Sequence, residues 1–185
     1  ELARVSSNSK ILRKIKENPG RRWIVFNVDV AHSISVTSFL KRNGINCEHV
    51  DSKSEDREEK IADFQKGNIH VLCNVGILTK GYDDPGVSGI ILNHSTQSLS
   101  KYFQEIGRGS RIFTGKENFL VYDLGNNIFR HGSYTDPVDW MLIFRQDAKD
   151  KSQNFRNCNA CKVCAITITN KFLKNCPVCN AAFPD

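Results

Sequence analysis

The run Arg22-Trp23-Ile24-Val25-Phe26-Asn27-Val28 constrains this chain more than any other stretch, because its apolar side chains fall on both alternating faces of a segment of strand length. A strand that is apolar on both sides belongs inside a parallel sheet covered by helices. A helical pattern follows over 30–43, with Ile34, Phe39 and Leu40 among its inward positions and Gly44 as its stop. The alternation then recurs: a strand at 47–50, a helix opened by the capping residue Ser54 with Glu55-Asp56 and stopped by Gly67, and strands at 69–73 and 87–92. A helix at 99–106 and a strand at 119–122 complete the series. Ahead of the first strand, Ile11, Leu12 and Ile15 suit a short amphipathic helix ended by Asn18-Pro19-Gly20. Strands and helices alternating without long hairpins predict an α/β domain with a mainly parallel sheet flanked by helices. Ligands of such sheets sit in the loops at the carboxyl ends of the strands.

The chain has 185 residues, enough for one good core and a small appendage. No apolar run approaches the roughly 18 residues of a membrane span, and residues 1–22 are polar and basic with no apolar centre, so an intracellular, cytoplasmic protein with no membrane partner is expected. The net charge of +6 is unevenly placed: residues 1–22 carry +5, residues 155–185 carry +3, and the middle is slightly acidic. Basic ends of this kind suit nucleic acid, although they also serve solubility alone.

Gln104-Glu105-Ile106-Gly107-Arg108-Gly109-Ser110-Arg111 carries the sharpest chemistry. Two arginines three residues apart are expected on one side of a helical turn, where both planar guanidinium groups face one polyanion. That is an arrangement suited to stabilising a transferring phosphoryl group; as structure alone it is a basic helix end. A second unusual stretch, Asn74-Val75-Gly76-Ile77-Leu78-Thr79-Lys80-Gly81-Tyr82-Asp83-Asp84-Pro85, combines glycine, a hydroxyl, a cation and two carboxylates, and as structure alone is a turn before a strand. His131, with no Ser, Cys or metal partner beside it, reads as a packing or surface residue. Neither a G-x-x-x-x-G-K-[ST] phosphate loop nor a strand ending in paired acids is present, so the arginines have no nucleotide cradle on this chain.

These residues resemble the second RecA-like lobe of a superfamily 2 helicase over 21–132. Gln104-x-x-Gly107-Arg108-x-x-Arg111 looks like motif VI, Leu78-Thr79-Lys80-Gly81-Tyr82-Asp83 like motif V, and Ile24-Val25-Phe26-Asn27-Val28 like motif IV. The ending Asp123-Leu124-Gly125-Asn126-Asn127 with Arg130-His131-Gly132 and a cysteine-rich tail is similar to the RadD-type branch, whose members act on DNA. The resemblance implies that Arg111 is the arginine finger on the γ-phosphate and Arg108 its companion, while Gln104 and Gly107 join the nucleotide to the interlobe surface. Gly81 and Asp83 would line the nucleotide cleft; Asn27, Asn74 and Thr79 would be candidates for contacts to the nucleic-acid backbone. It further implies ATP and Mg, bound together with an N-terminal RecA-like lobe of the same parent chain, and nucleic acid, DNA in preference to RNA, as partner. This chain alone would not hydrolyse ATP at a useful rate. The competing reading is a non-enzymatic nucleic-acid-binding module.

Five of the seven cysteines crowd into the last 28 residues. Cys161-x-x-Cys164, eleven residues, then Cys176-x-x-Cys179 is the spacing of a closed, structural four-thiolate zinc site. Cys158-x-x-Cys161 is also a valid first pair; the reading preferred here leaves Cys158 as a spare thiol. Cys47 and Cys73, inside expected strands, read as small buried apolar side chains. The expected division is a leading helix or linker over 1–20, the α/β domain over 21–150 and a zinc ribbon over 151–185.

Overall fold

The structure is a computed structural model that describes residues 2–78, 82–138 and two short strands at 159–160 and 167–168. The chain divides into two compact units, Glu1–Gly125 and Asn126–Asp185. The first is a sheet of five parallel strands, β1 (Arg22–Asn27), β2 (Cys47–Val50), β3 (Val71–Asn74), β4 (Val87–Asn93) and β5 (Leu120–Asp123), in the order β2-β3-β1-β4-β5. Helices α1 (Leu2–Glu17), α2 (Val30–Arg42), α3 (Arg57–Lys66) and α4 (Leu99–Ile106) complete it. The apolar runs identified in the sequence are these strands, and the central one, β1, buries every residue from Trp23 to Asn27.

Alternation along the strands sorts the core into two layers. Trp23, Val25, Cys47, Val71, Cys73 and Ile91 pack with Ile11 and Ile15 of α1 and Val36 and Leu40 of α2. Helix α1 therefore contributes to the core. Burial pushes the Cys47 thiol up to about 11 and the Cys73 thiol up to about 12, which leaves both as inert packing groups. On the other face, Phe64 of α3 lies under the Arg22 guanidinium, 5.3 Å from ring centre to Cζ. Gly109, just beyond α4, rests against Ile90 of β4 and Phe119.

Local signals set the helix ends. The Asp29 carboxylate accepts from the His32 amide at 2.7 Å and opens α2. Ser98 does the same for α4 through Lys101, and Gly67 closes α3 in the left-handed conformation. Ser54 does not cap α3 as its sequence position suggests. Its hydroxyl donates to Asp51 Oδ1 and accepts from the Asp51 amide, closing a turn before the helix, which begins at Arg57.

Gly89 is a requirement of packing. It pairs in register with Trp23, whose fully buried indole crosses β4 at this point to stack on Tyr122 of β5 at 5.7 Å. A Cβ on Gly89 would lie 2.1 Å from Trp23 Cε3. Gly89→Val should therefore lower unfolding stability by about 3 kcal/mol in a urea titration, at the upper end of overpacking costs. A variant within about 0.5 kcal/mol of the parent, the usual range for surface substitutions, would show that the indole has room to move.

In the second unit, α5 (Asn127–His131) buries Asn127 and His131. The strands β6 (Asn159–Ala160) and β7 (Thr167–Ile168) pair antiparallel. Among the described residues no helix is long and apolar enough to cross a membrane.

Candidate functional site

The connection from β3 to β4 leaves the carboxyl end of one parallel strand and must enter the amino end of another, so it crosses the length of the sheet. Its second half, 82–86, is held by hydrogen bonds that centre on one carboxylate. Asp84 is the anchor: Arg22 grips both its carboxylate oxygens at 2.7 Å, the Tyr82 hydroxyl donates to Oδ2 at 3.0 Å, and the Gly86 amide donates to Oδ1 at 3.0 Å. Arg22 and Asp84 are 15% and 5% exposed, so this is a buried bidentate pair with its remaining lone pairs satisfied. Burial and the Asp84 charge push the Tyr82 phenol far above its ordinary range, so it stays a neutral donor.

Both arginines of the Gln104–Arg111 motif reach this same segment. Helix α4 ends at Ile106, so Arg108 and Arg111 lie in the turns after the helix, not on one helical face as the i, i+3 spacing implied. They converge nonetheless. Arg108 Nη1 donates to the Tyr82 carbonyl oxygen, and Arg111 Nη1 pairs with Asp83 Oδ1. Burial lowers the Arg108 pKa, yet an arginine remains charged. The two arginines differ in setting: Arg108 donates to a backbone carbonyl, whereas Arg111 is 35% exposed and its partner Asp83 72% exposed. An ion pair that open is worth well under about 1 kcal/mol, so Arg111 can change partner at little cost. Gln104 lies on the exposed side of α4, its amide donating to Ser100 Oγ at 3.2 Å. Gly107 is the cap residue of α4 and donates to the Phe103 carbonyl at 2.9 Å.

The loop that carries Arg111 is shaped by contacts the sequence did not advertise. Gly109 has no space for a side chain, since a Cβ would meet Phe119 at 2.7 Å and Ile90 at 2.9 Å. Lys116 Nζ donates to the carbonyl oxygens of Gly109 at 2.6 Å, Arg111 at 2.8 Å and Pro85 at 3.1 Å. Behind α4, Glu105 accepts from buried His94 at 2.9 Å, fixing the helix to the segment after β4.

A second polar assembly occupies the carboxyl edge of the sheet. Asn93 Nδ2 donates to Asn27 Oδ1 at 2.8 Å, Asn27 Nδ2 donates to Ser33 Oγ at 3.2 Å, and Ser33 Oγ lies 2.8 Å from His49 Nδ1. His49 Nε2 lies 3.3 Å from Asp51 Oδ2, and Ser7 of α1 donates to Asn93 Oδ1 at 2.7 Å. Ser33 is fully buried, so this serine, histidine and aspartate form a structural chain rather than a nucleophile with its base. Asn27 and Asn74 are 4% and 0% exposed, so their side chains face inward. Asn74 Nδ2 donates to the Val25 carbonyl at 3.3 Å, while its Oδ1 has no partner among the described residues. What reaches solvent beside Asn27 is the following turn, where Val28 and Val30 are exposed.

Thr79 and Gly81 lie outside the described residues, as do Cys158, Cys161, Cys164, Cys176 and Cys179. Among the described residues no cluster of His, Cys, Asp and Glu is arranged to hold a metal.

Residues 6–113 match the family described as helicase conserved C-terminal domain. A Saccharomyces cerevisiae protein bearing the name of an ATP-dependent helicase, IRC3, is 38% identical over 114 residues, which are 60% of this chain and 16% of that protein. A 51.5 kDa protein of a Lactococcus phage is 29% identical over 172 residues, 92% of this chain and 35% of that one. The chain thus spans about a third or less of the length of these relatives. Among solved structures, the C-terminal domain of the DEAD-box protein Dbp5 superposes with a TM-score of 0.58 at 19% identity, covering 65% of this chain and 71% of that domain. At that identity the likeness is one of fold.

Proposed function

Because the chain belongs to the helicase conserved C-terminal domain family, we propose that it is the second motor lobe of an ATP-dependent helicase or translocase, with Arg111 as its arginine finger. The observation that carries this reading is the convergence of Arg108 and Arg111 on residues 82 and 83. Arg108 fixes the segment, while Arg111, held by an exposed carboxylate alone, is free to exchange Asp83 for the γ-phosphate of ATP. That phosphate and its Mg would be held mainly by a preceding RecA-like lobe, which supplies the phosphate loop this chain lacks. Gln104, Gly107, Gly81 and Asp83 would then border the nucleotide between the lobes. A pure binding module has no use for two arginines on this segment.

The strand-binding track falls at the carboxyl edge of the sheet. Thr79 and the turn after Asn27 would meet the nucleic-acid backbone, with the buried amides of Asn27 and Asn74 orienting that edge. DNA in preference to RNA follows from the likeness of the 123–132 segment and tail to the RadD-type branch, and the protein would work inside the cell. The spacing of Cys161, Cys164, Cys176 and Cys179 supports a structural zinc ribbon, since four thiolates are the donor set of a closed tetrahedral site. The sequence between the paired strands β6 and β7 contains the first two of these cysteines.

Two measurements test this reading. ATP turnover of the full-length protein should rise on adding single- or double-stranded DNA and less on adding RNA. Nucleic-acid binding by the present chain should be weak, nearly indifferent to sequence and steeply salt-dependent, because phosphate contacts release counterions, with a slope of about −0.7 per phosphate contacted on single strands. Tight binding that barely changes between low and moderate salt would point to base readout and away from a motor.

A further inference from the structure

Lys116 lies beyond residue 113, where the family match ends. Its position beside Arg111 suggests at first another phosphate-binding cation, but its hydrogen bonds exclude that. An ammonium group has three protons, and the carbonyl oxygens of Gly109, Arg111 and Pro85 take all three at 2.6, 2.8 and 3.1 Å. No donor is left for an anion. Burial lowers the Lys116 pKa, with the Asp84 charge opposing the shift, so the fold accepts a desolvation cost to keep this group where it is.

The gain is a fixed loop. Ile112 and Phe113 are 97% and 51% exposed, so the loop's own apolar side chains do not hold it down. Its backbone is held instead: the Lys116 amide donates to the Phe113 carbonyl at 3.0 Å, Gly109 is wedged against Ile90 and Phe119, and the Lys116 ammonium joins both ends of the turn to Pro85. The Arg111 carbonyl sits at the centre of that web.

We propose that Lys116 is a positioning residue for the motor reaction: it locks the backbone of Arg111 to the segment that carries Asp83 and Asp84, so that the Arg111 guanidinium meets the nucleotide in register. The assignment rests on Arg111 being the finger. Lys116 touches neither nucleotide nor nucleic acid, and its influence passes through Arg111.

The test is a double-mutant cycle in the full-length protein, reading nucleic-acid-stimulated ATP turnover, with Lys116→Met and Lys116→Gln each combined with Arg111→Ala. Each Lys116 variant alone should lower kcat by about 10- to 100-fold, the scale of a small misplacement, while KM for ATP changes by less than about threefold. In the Arg111→Ala background the same change should cost nothing further. A Lys116 effect of equal size in both backgrounds would mean general destabilisation and overturn the proposal. So would wild-type turnover in both Lys116 variants when Arg111→Ala is inactive, a result that leaves the finger assignment standing. Near-normal turnover in Arg111→Ala itself would remove the finger assignment and this proposal with it. Should Lys116→Met fail to fold by circular dichroism, Lys116→Gln, which keeps two donors, decides the cycle alone.

Discussion

Arg111→Ala in the full-length protein is expected to lower nucleic-acid-stimulated ATP turnover by about three orders of magnitude or more, while the affinity for ATP changes far less. The size follows from the role. Charge spread over the transferring phosphoryl oxygens is stabilised by a guanidinium that forms its full contacts only in the transition state, so the loss appears in kcat and not in binding. The structure adds a second expectation, because Arg111 pairs with Asp83. Asp83→Asn should leave the finger in place but remove its charged partner. Any effect on turnover should be small beside that of Arg111→Ala, since the pair is largely exposed and worth little. Steady-state kinetics with saturating nucleic acid measures both variants. Turnover within about threefold of the parent for Arg111→Ala would withdraw the motor role from this residue.

The other large effect concerns the tail. Apart from Val163 and Val178, residues 155–185 offer only Phe155, Ile166, Ile168, Phe172, Leu173 and Phe183 as sizeable apolar side chains. A segment of about thirty residues cannot offset its chain entropy with so few, so metal ligation would supply most of its folding free energy, about 10–16 kcal/mol for structural zinc sites. Purified protein should carry one zinc per chain, and a strong chelator should make 155–185 protease-sensitive. The Glu1–Gly125 unit, with its own buried sheet, should stay resistant. Cys176→Ser or Cys179→Ser should abolish zinc binding, whereas Cys158→Ser should not. Loss of zinc in Cys158→Ser with retention in Cys164→Ser would move the first pair to Cys158 and Cys161. A tail indifferent to chelator and to every cysteine change would remove the site altogether.

Local pattern was enough to place most of the elements. Apolar runs of strand length became the five strands to within two residues, and Gly67 marked a helix end, because these features depend on the chain's own periodicity and on atoms a few residues apart. A parallel sheet was also legible, since only strands covered on both faces read as continuous apolar runs. The Gln104–Arg111 motif and the segment ending at Asp83 were recognisable as residue types at fixed spacing. Their geometry was not. The spacing put two arginines on one helical face, but α4 stops at Ile106 and the guanidinium groups meet through the fold instead.

What only the tertiary structure decided are contacts between residues far apart in the chain. Arg22 grips Asp84 across 62 positions, Arg108 reaches Tyr82 across 26, and Lys116 reaches Pro85 across 31. No local signal announces them: an arginine beside Trp23 and a lysine in a glycine turn are ordinary surface residues until the order β2-β3-β1-β4-β5 sets β1 beside β4. The same order carries the Trp23 indole over Gly89 and aligns Asn27 with Asn93, turning a small residue and two strand-end amides into requirements of the fold. Periodicity reports which side of its own element a residue occupies. Which residue lies opposite is settled by strand order and register, through burial and hydrogen-bond demands that arise only once the sheet has formed.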